Sequence, residues 1–168
     1  MSLFITVDVA HLIAANMRSF IEAVRRKAPV VYVGSIKSVE VLNRTEFDIK
    51  ARAVVDVLFV ARGEMKAREA TVEYSSYDDE TPMMAGGPQY QLKPGEKVLV
   101  FAEGFASHDR PKYLLQGSRE QLLQRITALR DNLRQMSADQ LKLNEISEDD
   151  REVQLQLYEK LCAYLRQP

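Results

Sequence analysis

The sequence predicts an α+β fold: a small five-stranded antiparallel β-barrel with an N-terminal helix and a C-terminal helical hairpin. Three observations lead there. Apolar residues recur with a period of two through much of Val30 to Ala102, glycine and proline interrupt that pattern at turn-like intervals, and both flanks switch to helical spacing. At 168 residues the chain has the length of one ordinary domain. Residues 1–117 are read as the N-terminal helix plus barrel, and residues 118–168 as a helical hairpin packed on the same domain.

The N-terminal helix is capped by Thr6 or Asp8 and carries Leu12, Ile13, Met17, Phe20, Ile21 and Val24 on one stripe. Arg18, Arg25, Arg26 and Lys27 gather toward its C-terminal end, where the helix dipole favours positive charge. Pro29 stops it. The first strand opens with the run Val30-Val31-Tyr32-Val33, meets Gly34, and resumes out of phase at Ile36, Val39 and Val41, which predicts a bulge at the glycine. Asn43-Arg44-Thr45 reads as the turn into a second strand over Phe47 to Ala61. There Phe47, Ile49, Ala51, Ala53 and Val55 alternate with Glu46, Asp48, Lys50 and Arg52. That strand exceeds the usual five or six residues, so it must bend or break near Val55. Arg62-Gly63-Glu64 is a turn, and Ala70 to Tyr74 is a short strand.

Residues 75–91 hold serines, acids, Pro82, Pro88 and Gly86-Gly87, and are expected to form a long loop. Long loops in small domains are commonly functional, so Tyr77, Asp78, Asp79 and Tyr90 are the candidate partner-binding residues. Lys93-Pro94-Gly95-Glu96 has the proline–glycine order of a type II turn and leads into a strand over Val98 to Ala102. Pro111 to Gln116 offers a last short strand. Ser118 with Gln121 is a capping box opening a helix with Leu122, Ile126, Leu129, Leu133 and Met136 on its stripe. Ser147 before three acids opens another, striped by Val153, Leu157, Leu161 and Leu165. Ser137 to Ile146 between them reads as either a short helix or a loop.

Composition narrows the function classes. Lysine plus arginine total 23 against 24 acids, so no basic surplus points to nucleic acid or an anionic membrane. Cys162 is the only cysteine, which removes internal disulfides and a thiolate zinc cage, and its helical apolar surroundings suggest a buried, inert thiol. With only His11 and His108, a histidine-built metal site has little to draw on. Asp78, Asp79 and Glu80 lack the spacing of a calcium loop. No nucleophile elbow, phosphate-binding glycine loop or dinucleotide fingerprint occurs, and no cofactor is expected. No apolar run approaches the roughly 20 residues of a membrane span. Asp8 and His11 interrupt what would be the apolar core of a signal peptide, so the expected location is cytoplasmic, or exported if a leader has been removed.

The helix entering VVYVGSIKSVEV, the segment VVDVLFVARG, the strand ATVEY and the turn–strand LKPGEKVLVFA together resemble bacterial members of the superfamily of tissue inhibitors of metalloproteinases and netrin modules, over roughly Ser19 to Gly104. The resemblance implies a five-stranded barrel of the oligonucleotide/oligosaccharide-binding (OB) type and a bias toward protein recognition. The animal inhibitors' N-terminal, zinc-gripping cysteine and their disulfides have no counterpart here, so that mode of inhibition is not implied. The expected function is a non-enzymatic protein-interaction module with an unknown protein partner. Two alternatives stand beside it. One is a single-strand nucleic-acid binder using Tyr32, Tyr74, Tyr77, Tyr90 and Phe101 beside Lys50, Arg52, Lys66 and Arg68. The other is a small hydrolase using His108 with Asp109 or the acidic loop.

Overall fold

Val30 to Val33 are apolar on consecutive positions, so both faces of that strand must be covered. The computed structural model, which describes residues 20–64, 67–83, 88–103 and 113–168, covers both by placing the strand in the middle of a sheet. β1 (Val30–Arg44) lies between β2 (Ile49–Arg62) and β4 (Lys97–Ala102), with β3 (Glu69–Ser76) beyond β2 and β5 (Tyr113–Gly117) beyond β4. All four ladders are antiparallel. The helices are α1, described over residues 20–27, α2 (Arg119–Gln135), α3 (Ala138–Leu143) and α4 (Glu148–Arg166). The fold is therefore α+β, as expected.

The β1–β2 ladder slips register between Val31/Tyr32, Val33/Gly34, Ile36/Ser38 and Val41/Asn43, which bends a strand pair too long to stay straight. The slip at Gly34 is the one the phase shift predicts. A Cβ there would sit 2.2 Å from Val55 Cγ1 and 2.9 Å from the Asp56 carbonyl oxygen, so only glycine admits this approach. β2 bends without breaking. Its preceding turn lies later than expected: β1 continues through Arg44, and the reversal uses Thr45 to Asp48. Thr45 N–H donates to the Asp48 carbonyl at 2.8 Å, and its hydroxyl oxygen accepts from the amides of Phe47 and Asp48. A side chain that mimics a backbone turn in this way fixes the reversal at its own position. The turn predicted at Lys93-Pro94-Gly95-Glu96 is in place: Gly95 has φ +89° and Glu96 N–H returns to the Lys93 carbonyl.

One face of the sheet buries Val30, Tyr32, Ile36, Ala53, Val55, Val72, Tyr74, Val98, Val100 and Leu114, so all five strands contribute to one apolar cluster. The other face sets Val31, Val33, Leu99, Phe101 and Leu115 against Leu122, Ile126, Leu157, Tyr158 and Leu161 of the helices. The sheet is not closed, however. Among the described residues no ladder joins β3 to β5, and a segment of the chain stands between them instead: Tyr90 N–H donates to the Ser75 carbonyl, while its hydroxyl oxygen accepts from Leu114 N–H.

Each helix after β5 starts at a serine whose side chain and partner three residues on satisfy both exposed amides: Ser118/Gln121, Ser137/Gln140 and Ser147/Asp150. The segment left open between helix and loop is thus α3, closed by Glu145 at φ +55°. α2 and α4 run antiparallel: Arg119 at the start of α2 donates to the carbonyls of Tyr164 and Gln167, and Arg151 early in α4 donates to that of Met136. α1 is held by polar contacts. The Arg62 guanidinium donates to the carbonyls of Ala28 (3.0 Å) and Arg26 (3.1 Å), and to Gln154 Oε1 (3.0 Å). It supplies the positive charge that a helix C-terminus favours.

Replacing Gly34 by alanine should cost about 3 kcal/mol, the upper end for overpacking, because backbone as well as side chain must move. Gly95→Ala, with open space around the Cβ, should cost about 1 kcal/mol from its left-handed backbone alone. Urea denaturation of both variants checks the order; equal losses would contradict the close approach at Gly34.

Candidate interaction site at the β1–β2 hairpin

β4 pairs with β1 only from Val30 to Ser35, and β3 pairs with β2 only from Ile49 to Asp56. The far half of β1 and its hairpin therefore outrun one neighbour. The apolar alternation does not stop where the cover does. Val39 still packs on the five-strand cluster and Ile49 is buried, but Val41 is 55 % exposed, Leu42 42 % and Phe47 64 %. Of the eight large apolar residues exposed among the described ones, these three fall within seven positions of sequence. Single exposed leucines are ordinary, whereas a group at one tip marks a surface available for contact. Leu58, by contrast, is the extra residue where the β1–β2 register skips between Val33/Phe59 and Gly34/Val57.

The predicted site residues divide. Asp78 does come to the hairpin: its carboxylate meets the Arg44 guanidinium at 2.7 Å. The same carboxylate accepts from the amides of Thr81 (2.8 Å) and Glu80 (3.1 Å). Arg44 first, then the Thr81 amide, hold the Asp78 carboxyl below the usual carboxylate range. Asp78 thus builds the turn that carries Asp79 and the 58 %-exposed Met83 beside the hairpin's charged end, and Asp79 itself is exposed. An exposed ion pair of this kind contributes little stability; its role is to set where the segment lies. Tyr77 is half-buried, and its carbonyl accepts from Gln91 Nε2 at 2.7 Å.

Tyr90 is partly buried at the seam between β3 and β5. Its ring stands edge-on to Tyr74, 6.4 Å between centroids, and its hydroxyl is spent on Leu114 N–H. Burial pushes both phenols up to about 12. Within the long loop expected over 75–91, Tyr90 bridges the two sheet edges and Leu92 just beyond it is buried, while Pro88 and Gln91 stay exposed. Sequence reasoning counted Val41 and Phe47 in the apolar pattern of their strands and missed the tip. The available signal was the number of neighbours each strand can have: a β4 of six residues cannot cover a β1 of fifteen.

Among the described residues the remaining candidates gather into no site. Cys162 is buried, its sulfur 3.8 Å from Thr127 Oγ1. His11, His108 and Asp109 lie outside the described residues. Tyr32, Tyr74 and Phe101 are interior, and the Arg52 guanidinium is engaged by Glu73 at 2.7 Å and Glu40 at 3.3 Å. Among the described residues no group of three or more histidine, cysteine or acidic side chains is placed to hold a metal ion, and no helix is long and apolar enough to cross a membrane. Comparison of the chain with protein-family models, with curated proteins and with solved structures finds no match.

Tyr74 and Tyr90 give a pH dependence. Their folded-state values lie above the ordinary value of 10, so between pH 10 and about 12 the unfolded chain releases protons that the folded chain keeps. Stability should be insensitive to these groups below pH 10 and fall as pH rises toward 12. Tyr90→Phe should lower stability at pH 7 by about 1–3 kcal/mol, by stranding Leu114 N–H, and should make the alkaline fall of the urea midpoint shallower. An unchanged alkaline slope would contradict the bridging role.

Proposed function

We propose that this chain is a non-enzymatic protein-interaction module built on an OB-like barrel of the netrin and metalloproteinase-inhibitor kind. Several features support the barrel reading. β3 and β5 are each two antiparallel steps from β1, so they run parallel to each other, and a single seam between them separates this sheet from closure. The cluster inside draws on every strand, and Tyr90 spans the seam. A five-stranded, partly open barrel is the OB architecture, and its β1–β2 loop is one of the places where that architecture binds ligands. Fold analogy of this kind carries the scaffold; the function has to rest on the site.

The observation that carries the interaction reading is the apolar tip. Val41, Leu42 and Phe47 stand on a hydrogen-bonded hairpin, flanked by the polar, Arg44-tethered turn of Asp78. Apolar anchors inside a polar rim are the anatomy of a protein contact. The nucleic-acid alternative loses support because Tyr32, Tyr74 and Phe101 are interior and Arg52 is paired with Glu40 and Glu73.

A photo-crosslinking residue placed at Phe47 in the source cells should yield one discrete protein adduct, absent when the probe is moved to exposed Gln124 on α2. The captured protein, purified, should bind the wild-type chain and lose at least about tenfold in affinity, or 1.4 kcal/mol, to Phe47→Asp. Identical adducts from both positions, or unchanged affinity of the variant, would overturn the reading.

A further inference from the structure

We infer that the open edge of β1 over Ser38–Val41 takes an added β-strand: an extended segment of a partner protein, antiparallel to β1, with a basic residue between two apolar ones. This rests on the hairpin as the region of protein contact and specifies what its base grips.

β4 pairs with β1 no further than Ser35, and the turn that precedes β4 closes on Ile36. Ile36 N–H donates to the Glu96 carbonyl at 2.9 Å, and its carbonyl accepts from Gly95 N–H at 2.8 Å, so both of its backbone groups point to the β4 side. One extra residue, Lys37, stands between the Ile36/Val55 and Ser38/Val54 pairs and shifts that alternation by one. Ser38 and Glu40 therefore turn their backbone groups toward β2, opposite Val54 and Arg52, and Val39 and Val41 turn theirs to the open side. Among the described residues no strand and no hydrogen bond meets them there. Donors and acceptors in ladder spacing are the complement of an extended backbone, and this stretch has neither the proline nor the lysine that commonly guards an edge.

Glu40 selects the occupant. Its side chain is 62 % exposed and meets the Arg52 guanidinium at 3.3 Å, on the face away from the cluster on which Val39 packs. Two copies of this chain pairing antiparallel through Val39 and Val41 would set Glu40 directly opposite Glu40, and facing like charges destabilise a ladder. A second copy is thus disfavoured, whereas a basic residue in the added strand meets the carboxylate. The residues on either side of it then lie on the other face, beside Val39 and Val41, where apolar side chains fit.

The probe is the peptide acetyl-Thr-Val-Arg-Val-Thr-amide, titrated into the wild-type chain and followed by backbone-amide NMR. The shifts should saturate and be largest at the amides of Val39 and Val41. Methylating the nitrogens of both peptide valines, which face β1 in the added strand, should weaken binding at least about tenfold. Methylating the arginine nitrogen, which faces away, should change it by less than about twofold. Exchanging the peptide arginine for glutamate should weaken binding about threefold or more, and Glu40→Lys in the chain should reverse that preference. Absence of saturable shifts at Val39 and Val41, equal binding of the valine-methylated peptide, or a charge preference unreversed in folded Glu40→Lys would each overturn the inference. The tip contact is judged separately, by the crosslink at Phe47, so the strand can fail while that reading stands.

Discussion

Two-sided burial of β1 is the constraint on which the other elements depend. Val30 and Tyr32 face the cluster shared by the five strands, while Val31 and Val33 face the helices, and all four are at most 7 % exposed. A strand of that kind has to be central, which requires partners on both sides, and β2 and β4 are those partners. It also has to bend, because the apolar cluster on one face is drawn mostly from the five strands of its own sheet. The bulges and the bare backbone at Gly34 supply the curvature. The helices then have a fixed task, to cover Leu99, Phe101 and the odd-numbered valines. Their capping boxes fix where each one starts.

The apolar tip follows from the same constraint. β1 is long because it serves two cores, and its outer half extends beyond the neighbour that would have covered it. A hairpin that emerges from a well-packed sheet is rigid at its base and exposed at its end. In the proposed contact Val41, held in the ladder opposite Ala51, needs no ordering first, which lowers the entropy cost of association. The Arg44–Asp78 pair matters in this setting as a locator for the adjoining turn.

Much of the fold is legible in local sequence because the responsible physics is local. Glycine out of phase at 34, proline–glycine at 94–95 and serine three residues before glutamine at 118 each act within a few positions, and the structure has the expected feature at each. What was not legible depends on partners distant in sequence. The Tyr90 hydroxyl is twenty-four positions from Leu114 N–H, and nothing near Tyr90 separates a seam-bridging phenol from an exposed one. The polar anchoring of α1 by Arg62 and Gln154 is likewise invisible to periodicity, which counts apolar positions only. In the sequence Asp78 stands out only as an acid in a loop; that it closes that turn and holds Arg44 depends on a residue in another strand.

If β1 joins the two cores, they must unfold together. Native-state hydrogen exchange measured residue by residue tests this directly. The account predicts that amides of Val31 to Val33, of Val98 to Phe101, and of α2 around Ile126 exchange with one common free energy equal to that of global unfolding. Thr45 to Asp48 at the hairpin end should exchange far faster by local opening. A helical layer that exchanged at a lower free energy than β1 and β4, while the sheet stayed protected, would contradict the account.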